Sequence, residues 1–147
     1  MEQALLGAAS SLLAPLESGG FQWVENAFDV GAVPAHSLNL ERSGASDSID
    51  FVLIIFDKRR HLRFQVLFGS KRATAPYPWI RSGALVWKQG SELVKYKWWG
   101  AKWWHLDKVE SLSLAAIRTA SLMPQVFRFL SSGEVGENVY SDLIATR

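Results

Sequence analysis

Residues 49–56 read Ile-Asp-Phe-Val-Leu-Ile-Ile-Phe, and this run sets the centre of the predicted fold. It combines β-branched and aromatic residues, which are enriched in strands. Such a nearly continuous apolar run predicts a strand that is buried on both faces. Its uninterrupted part, Phe51–Phe56, is far too short to span a bilayer. We therefore expect a central strand here and no membrane span.

Alternating or turn-bounded segments on either side predict further strands. Residues 62–68 alternate after the charged turn Asp57–His61, so they predict a hairpin partner for the central strand. The other predicted strands are Phe21–Val30, Ser37–Arg42, Ala84–Lys88 and Glu92–Trp99, the last two forming a hairpin around Gln89-Gly90-Ser91. Gly69–Ser82, with its two prolines, is expected to be a long loop.

Helical patterns occupy the two ends of the chain. Leucine and alanine recur at helical spacing over residues 3–17, and Gly19-Gly20 is expected to stop that helix. Asp107 fits an N-cap that opens a second helix. Pro124 is expected to open another, which Gly133 stops. Glu137–Ala145 is expected to form a short terminal helix.

The order of these elements is a helix, five or six antiparallel strands, and then helices. It predicts an α+β fold in which the N-terminal helix and the C-terminal helices pack on one face of an antiparallel sheet. A length of 147 residues is typical of one domain, so residues 1–147 are expected to fold as a single unit.

Several kinds of chemistry are absent from the sequence. No cysteine is present, which excludes disulfides, thiolate nucleophiles and cysteine-based zinc sites. His36, His61 and His105 lack the spacing of a metal pair, and no nucleophile elbow or phosphate-binding glycine loop occurs. We expect no cofactor, no metal and no catalytic residue, while an unrecognised small-ligand or enzyme pocket stays open. The missing cysteines and the lack of a basic signal-peptide start favour the cytoplasm.

Charge is strongly segregated along the chain. Residues 58–108, called the cationic segment below, hold 12 of the 16 Lys and Arg, 6 of the 7 Trp and two acids, for a formal charge of +10. Residues 1–57 carry −7 and contain one cation, Arg42. The acids of this first third favour a basic partner or self-association, or they neutralise cations across the sheet. These acids include Glu17, Glu25, Asp29, Glu41, Asp47 and Asp50.

Tryptophan and lysine alternate in the second half of the cationic segment. On a strand, Lys95, Lys97 and Trp99 share one face, and Trp98 points to the other. These indoles either fill the interface between helices and sheet or form an exposed aromatic face. An exposed face would anchor a protein partner, stack the bases of a single-stranded nucleic acid, or pair two copies of the chain. The candidate partner-binding residues are Trp79, Trp87, Lys95, Lys97, Trp98, Trp99, Lys102, Trp103 and Trp104.

A second basic group lies at the predicted hairpin turn. A solvated turn explains these charges, and a phosphate or acidic-partner contact together with Lys71 and Arg72 is the alternative. The candidate residues of this group are Lys58, Arg59, Arg60, Arg63, Lys71 and Arg72.

The stretch Leu12-Leu-Ala-Pro-Leu-Glu-Ser-Gly-Gly-Phe21, with the element order, resembles small bacterial α+β domains of the toxin-immunity type. In those domains a leucine-rich helix runs into a Gly-Phe turn and an antiparallel sheet. The resemblance rests on Leu12, Leu13, Leu16, Gly20 and Phe21. It implies a binding protein with an immunity-like or accessory role, and it transfers no functional residue.

Overall fold

The apolar run Ile49–Phe56 lies in an interior strand of an antiparallel sheet, as predicted. A computed structural model of the protein describes residues 3–24, 37–44, 47–56, 64–72, 79–85, 88–89, 92–93 and 109–144. The elements in chain order are α1 Gln3–Ser18, β1 Gln22–Trp23, β2 Ser37–Ser43, β3 Ser48–Phe56, β4 Phe64–Arg72, β5 Trp79–Leu85, β6 Lys88–Gln89, β7 Glu92–Leu93, α2 Val109–Ala120, α3 Met123–Ser132 and β8 Val139–Ile144.

Six strands form the main sheet in the order β1-β2-β3-β4-β5-β8, and each neighbouring pair is antiparallel. The predicted α+β class, with six strands, an N-terminal helix and C-terminal helices, is therefore confirmed. β6 and β7 pair separately through Gln89 and Glu92, as expected for the second hairpin. Ala84 and Leu85, however, belong to β5. The predicted first strand is described only as β1, since residues 25–30 lie outside the described ranges.

One face of the sheet, called the helix face below, packs against the helices. Leu40, Val52 and Phe68 lie side by side on it in β2, β3 and β4. They belong to one buried cluster with residues of all three helices. The helical members are Ala9, Leu12, Leu16, Ala115, Ala116, Met123, Val126, Phe129 and Leu130. Phe51 and Leu53 point to the opposite face and are also buried, so β3 is buried on both faces, as its sequence predicts.

The ends of α3 follow the predicted signals. Proline occupies its first turn, where the missing N–H costs no helical hydrogen bond. Gly133 adopts a left-handed conformation with φ of 78°, and its N–H donates to the carbonyl of Phe129 at 2.8 Å. The sequence therefore identified both the start and the stop of this helix.

The predicted helix over residues 137–145 is wrong, because Val139–Ile144 is strand β8. Val139 pairs with Leu85 and Tyr140 with Ala84, so β8 supplies β5 with a neighbour. The segment is short, and pairing with β5 across the sheet outweighs its helical spacing.

The predicted long loop over Gly69–Ser82 is also wrong, because β4 extends to Arg72 and β5 begins at Trp79. Gly69 does not end the strand. A Cβ atom there would lie 2.7 Å from Cζ of Phe51 and 2.4 Å from the carbonyl oxygen of Arg81. The glycine therefore makes room for an aromatic ring and for the neighbouring strand, which is a known reason for glycine inside a sheet.

Replacing Gly69 with alanine should destabilise the protein. The added methyl group must displace β5 or the ring of Phe51, and we expect the free energy of unfolding to fall by about 1–3 kcal/mol. Gly7→Ala is the matched control, because Gly7 is an exposed position of α1 and a Cβ atom there would meet nothing within 4 Å. That substitution should gain up to about 1 kcal/mol. Urea unfolding followed by circular dichroism measures both, and equal stability of the two variants would contradict the packing argument.

Candidate functional site

Most of the predicted partner-binding residues lie outside the described ranges. These are Trp87, Lys95, Lys97, Trp98, Trp99, Lys102, Trp103 and Trp104. Trp79 is described through its backbone, which opens β5 opposite Lys71 rather than lying in a loop. In the second group, Lys58, Arg59, Arg60 and Arg63 are likewise outside the described residues.

The structure does not bring Lys71 and Arg72 to the hairpin turn. That turn joins Phe56 to Phe64, which pair with each other at one end of β3 and β4. Arg72 pairs with Ser48 at the other end, about 27 Å away at the usual rise of a strand. Lys71 and Arg72 therefore lie at the end of β4 far from Phe64, while the other four members of the basic group lie outside the described residues.

Lys71 is engaged within the domain. Its Nζ lies 2.9 Å from Oε2 of Glu41, and both side chains are 18% exposed. The contact is an ion pair whose geometry is not that of a hydrogen bond. One cation of the cationic segment thus neutralises one acid of the first third, as the intramolecular alternative predicted.

A polar row that the sequence did not reveal crosses the helix face. Arg42 pairs with Asp50, Asp50 with Ser70, and Ser70 with Arg81, on β2, β3, β4 and β5 in turn. These four residues are called the cross-strand row below. Residues two apart on a strand point to the same face of the sheet. The row lies two residues beyond the apolar positions of its strands, so it extends the helix face past the apolar core.

Asp50 is the buried centre of the cross-strand row. Its Oδ2 accepts a hydrogen bond from Nε of Arg42 at 3.0 Å, and its Oδ1 accepts one from Oγ of Ser70 at 2.7 Å. Its side chain is only 7% exposed. A buried carboxylate is tolerated when it is paired and hydrogen-bonded in this way.

Arg42 connects four elements from its place on β2. Besides binding Asp50, its Nη1 donates to the carbonyl of Gly19, just after α1, at 2.8 Å. Its Cζ lies 4.5 Å from the ring centroid of Phe21 and 5.3 Å from that of Phe127 on α3. The two rings are stacked with centroids 6.1 Å apart. The guanidinium therefore combines a cation–π contact with a charge-assisted hydrogen bond at a helix C-terminus.

Arg81 makes the corresponding contact at the other end of the row. Its Nη1 donates to the carbonyl of Phe129 in the last turn of α3 at 2.8 Å. A Cβ atom on Gly133 would lie 3.2 Å from the same nitrogen, so the guanidinium packs against the glycine that ends α3. Two helix C-termini thus meet the sheet, each through an arginine.

A cleft of about 880 Å³ opens between these two helix ends and the sheet, and is called the terminal cleft below. Its lining residues are Gly19, Gly20, Gln22, Glu41, Arg42, Ser43, Gly44, Ser48, Asp50, Ser70, Ile80, Arg81, Leu130 and Ser131. All four members of the cross-strand row contribute to it. Nine of these fourteen residues have polar or charged side chains, so the cleft is a concave site with many hydrogen-bonding groups.

The chemistry of the terminal cleft favours binding. Both oxygens of Asp50 already accept hydrogen bonds, and Arg42 and Ser70 are the donors. Within the described ranges, no group of three histidine, aspartate or glutamate side chains is placed to hold a metal ion. The arginine side chains supply donors for an anionic or neutral acceptor group.

Four large apolar side chains are exposed among the described residues, none of them in the lining of the cleft, and Val135 after α3 is one of them. Leu114 and Ile117 lie one turn apart on α2, and Trp23 lies on β1 with 60% of its surface exposed. None of the described helices is both long and apolar enough to cross a membrane.

Comparison with known proteins gives no match for this chain: no family model, no curated protein and no solved structure is similar to it. The function is therefore argued from the residues alone. The one sequence signal for the terminal cleft was Arg42, the sole cation among the acids of residues 1–57.

Removing Arg42 should cost more stability than removing an exposed arginine. In Arg42→Met, Asp50 stays buried without its cation, and we expect the free energy of unfolding to fall by about 3 kcal/mol. Arg128→Met is the control, because Arg128 is 57% exposed and its Nε lies 3.7 Å from Glu134. It should change stability by no more than about 1 kcal/mol.

A double variant separates the ion pair from general damage at this position. Adding Asp50→Leu to Arg42→Met removes the stranded charge, so part of the lost stability should return. Denaturant unfolding of the wild type, Arg42→Met, Asp50→Leu and the double variant gives the coupling energy of the pair. Additive losses would contradict a coupled pair.

Proposed function

We propose that the chain is a binding domain without catalytic activity that recognises another protein, in an immunity-like or accessory role. The observation that carries this proposal is the composition of the cationic segment, which joins six tryptophans to a formal charge of +10. Tryptophan and arginine supply most of the binding energy in protein interfaces, and cations steer the approach of an acidic partner.

The described contacts support an acidic partner. Asp50 is bound by Arg42 from its own third of the chain, so it does not offset the cationic segment. Glu41 offsets one cation of that segment, Lys71. At +10, the segment keeps a large excess of positive charge for a partner after this pairing.

The proposed anchors are one tryptophan of each pair, Trp98 or Trp99 and Trp103 or Trp104, with Trp79 as a further anchor. Lys95, Lys97 and Lys102 are the proposed steering charges. Trp87 belongs to the same proposed surface. We also propose that the protein acts in the cytoplasm, since a chain without cysteine suits a reducing compartment.

Acrylamide quenching of tryptophan fluorescence tests whether the proposed surface exists. The wild type is compared with Trp98→Phe, Trp99→Phe, Trp103→Phe and Trp104→Phe, and light scattering reports the oligomeric state. We expect at least two of these indoles to be readily quenched in a monomer. Trp23→Phe is the control, because its side chain is exposed on β1 outside the proposed surface. Shielding of all four indoles in a monomer would remove the proposed site, and shielding only in a dimer would assign the surface to self-association.

Salt dependence distinguishes a protein partner from single-stranded nucleic acid. Binding that neutralises several phosphates should weaken by orders of magnitude between about 50 and 200 mM salt. Binding anchored by indoles in a protein interface should persist. Retention of an acidic partner at 200 mM salt, with loss in the Trp variants but not in Trp23→Phe, is the expected result, whereas tight and steeply salt-dependent binding of an oligonucleotide would replace the proposal.

A further inference from the structure

Arg81 carries an unbalanced charge in the terminal cleft. The structure gives its guanidinium one hydrogen bond, to the carbonyl of Phe129, and no carboxylate among the side chains that the structure describes lies within ion-pair distance. A guanidinium has five N–H donors in a planar fork. Four of them are therefore left for another acceptor on a side chain that lines a cleft.

The rest of the cross-strand row does not supply that acceptor. Asp50 is the nearest carboxylate along the row, and its two oxygens are taken by Arg42 and Ser70. Arg42 and Asp50 neutralise each other, so the row keeps a formal charge of +1 at the Arg81 end. Asp50 is buried, and its carboxylate faces Arg42 and Ser70.

The surroundings also limit the charge of a ligand. The C-terminal ends of α1 and α3 both face the cleft and carry partial negative charge. With Asp50 nearby, these groups repel a doubly charged anion such as phosphate or sulfate more than a singly charged one. A carboxylate has one charge, and its two oxygens match the fork of a guanidinium.

We infer that the terminal cleft is a carboxylate-binding site in which Arg81 holds the ligand carboxylate. Gly133 makes the approach possible, because it lets the guanidinium lie directly against the end of α3. At about 880 Å³ the cleft falls within the usual size of small-ligand pockets. A small organic acid and the C-terminal residue of a peptide share this chemistry and this size.

An NMR titration of the wild-type chain tests the site. The Nε–Hε signals of its arginines report binding. The probes are glutarate, acetyl-pentaglycine with a free C-terminal carboxylate, the same peptide as its amide, and sodium sulfate. We expect a saturable shift of the Arg81 signal with at least one carboxylate probe and none with the amide. A response to glutarate alone assigns the site to small acids, and a response to the free peptide alone assigns it to chain termini.

Arg81→Lys keeps the positive charge and removes the planar fork of N–H donors. We expect it to weaken binding of the responding probe about tenfold or more. Arg118→Lys is the matched control on the exposed side of α2 and should bind like the wild type. If Arg81→Lys does not fold, the titration of the wild type decides whether Arg81 binds a carboxylate.

Three outcomes would overturn the inference. They are no movement of the Arg81 signal with any carboxylate, equal movement of all arginine signals, and binding of sulfate as tight as that of the carboxylates. Apart from Trp79, which precedes Arg81 by two residues on β5, the proposed partner-binding residues belong to a later part of the chain. Trp98→Phe and Trp103→Phe should leave probe binding unchanged, so failure of either proposal can be recognised separately.

Discussion

The guanidinium of Arg42 is the contact on which the junction of helices and sheet depends. It holds the carboxylate of Asp50, the carbonyl that follows α1 and the stacked rings of Phe21 and Phe127. Without this cation the apolar layer of the helix face would end at a buried, unpaired carboxylate. Because guanidinium desolvates more easily than ammonium and stacks on rings, lysine cannot reproduce these contacts. The polar end of the domain is therefore organised around a charge, and the apolar end around the cluster that contains Phe68 and Phe129.

The sequence predicted correctly those elements whose structure follows from the residues within them. The run at Ile49–Phe56 and the proline and glycine signals of α3 each follow from their own residues, and both are confirmed. Val139–Ile144 was misassigned because its apolar residues fit helical spacing. Only the pairing with β5, more than fifty residues earlier, makes it a strand. Gly69 was misread for a similar reason, since its fit beside Phe51 depends on a neighbouring strand.

The terminal cleft was hidden from the sequence because its four polar residues stand on four different strands. Their meeting requires the registers of three strand pairs, and no one strand contains two of them. The lone cation of the acidic first third was the visible trace of this cluster. The proposed tryptophan and lysine surface is the opposite case, because composition made it conspicuous while nearly all of its residues lie outside the described ranges.

The position of β8 has a consequence for how the chain is organised in sequence. Leu85 and Val139 are paired residues of neighbouring strands, although they are far apart along the chain. β5 and β8 thus close residues 86–138 into one loop, and the entropy of closing a loop grows only with the logarithm of its length. Changes in length between Leu93 and Val109, which leave α2, α3 and their core contacts intact, should therefore add little to the cost of this closure, and they fall in the part of the chain that holds Trp98, Trp99, Trp103 and Trp104.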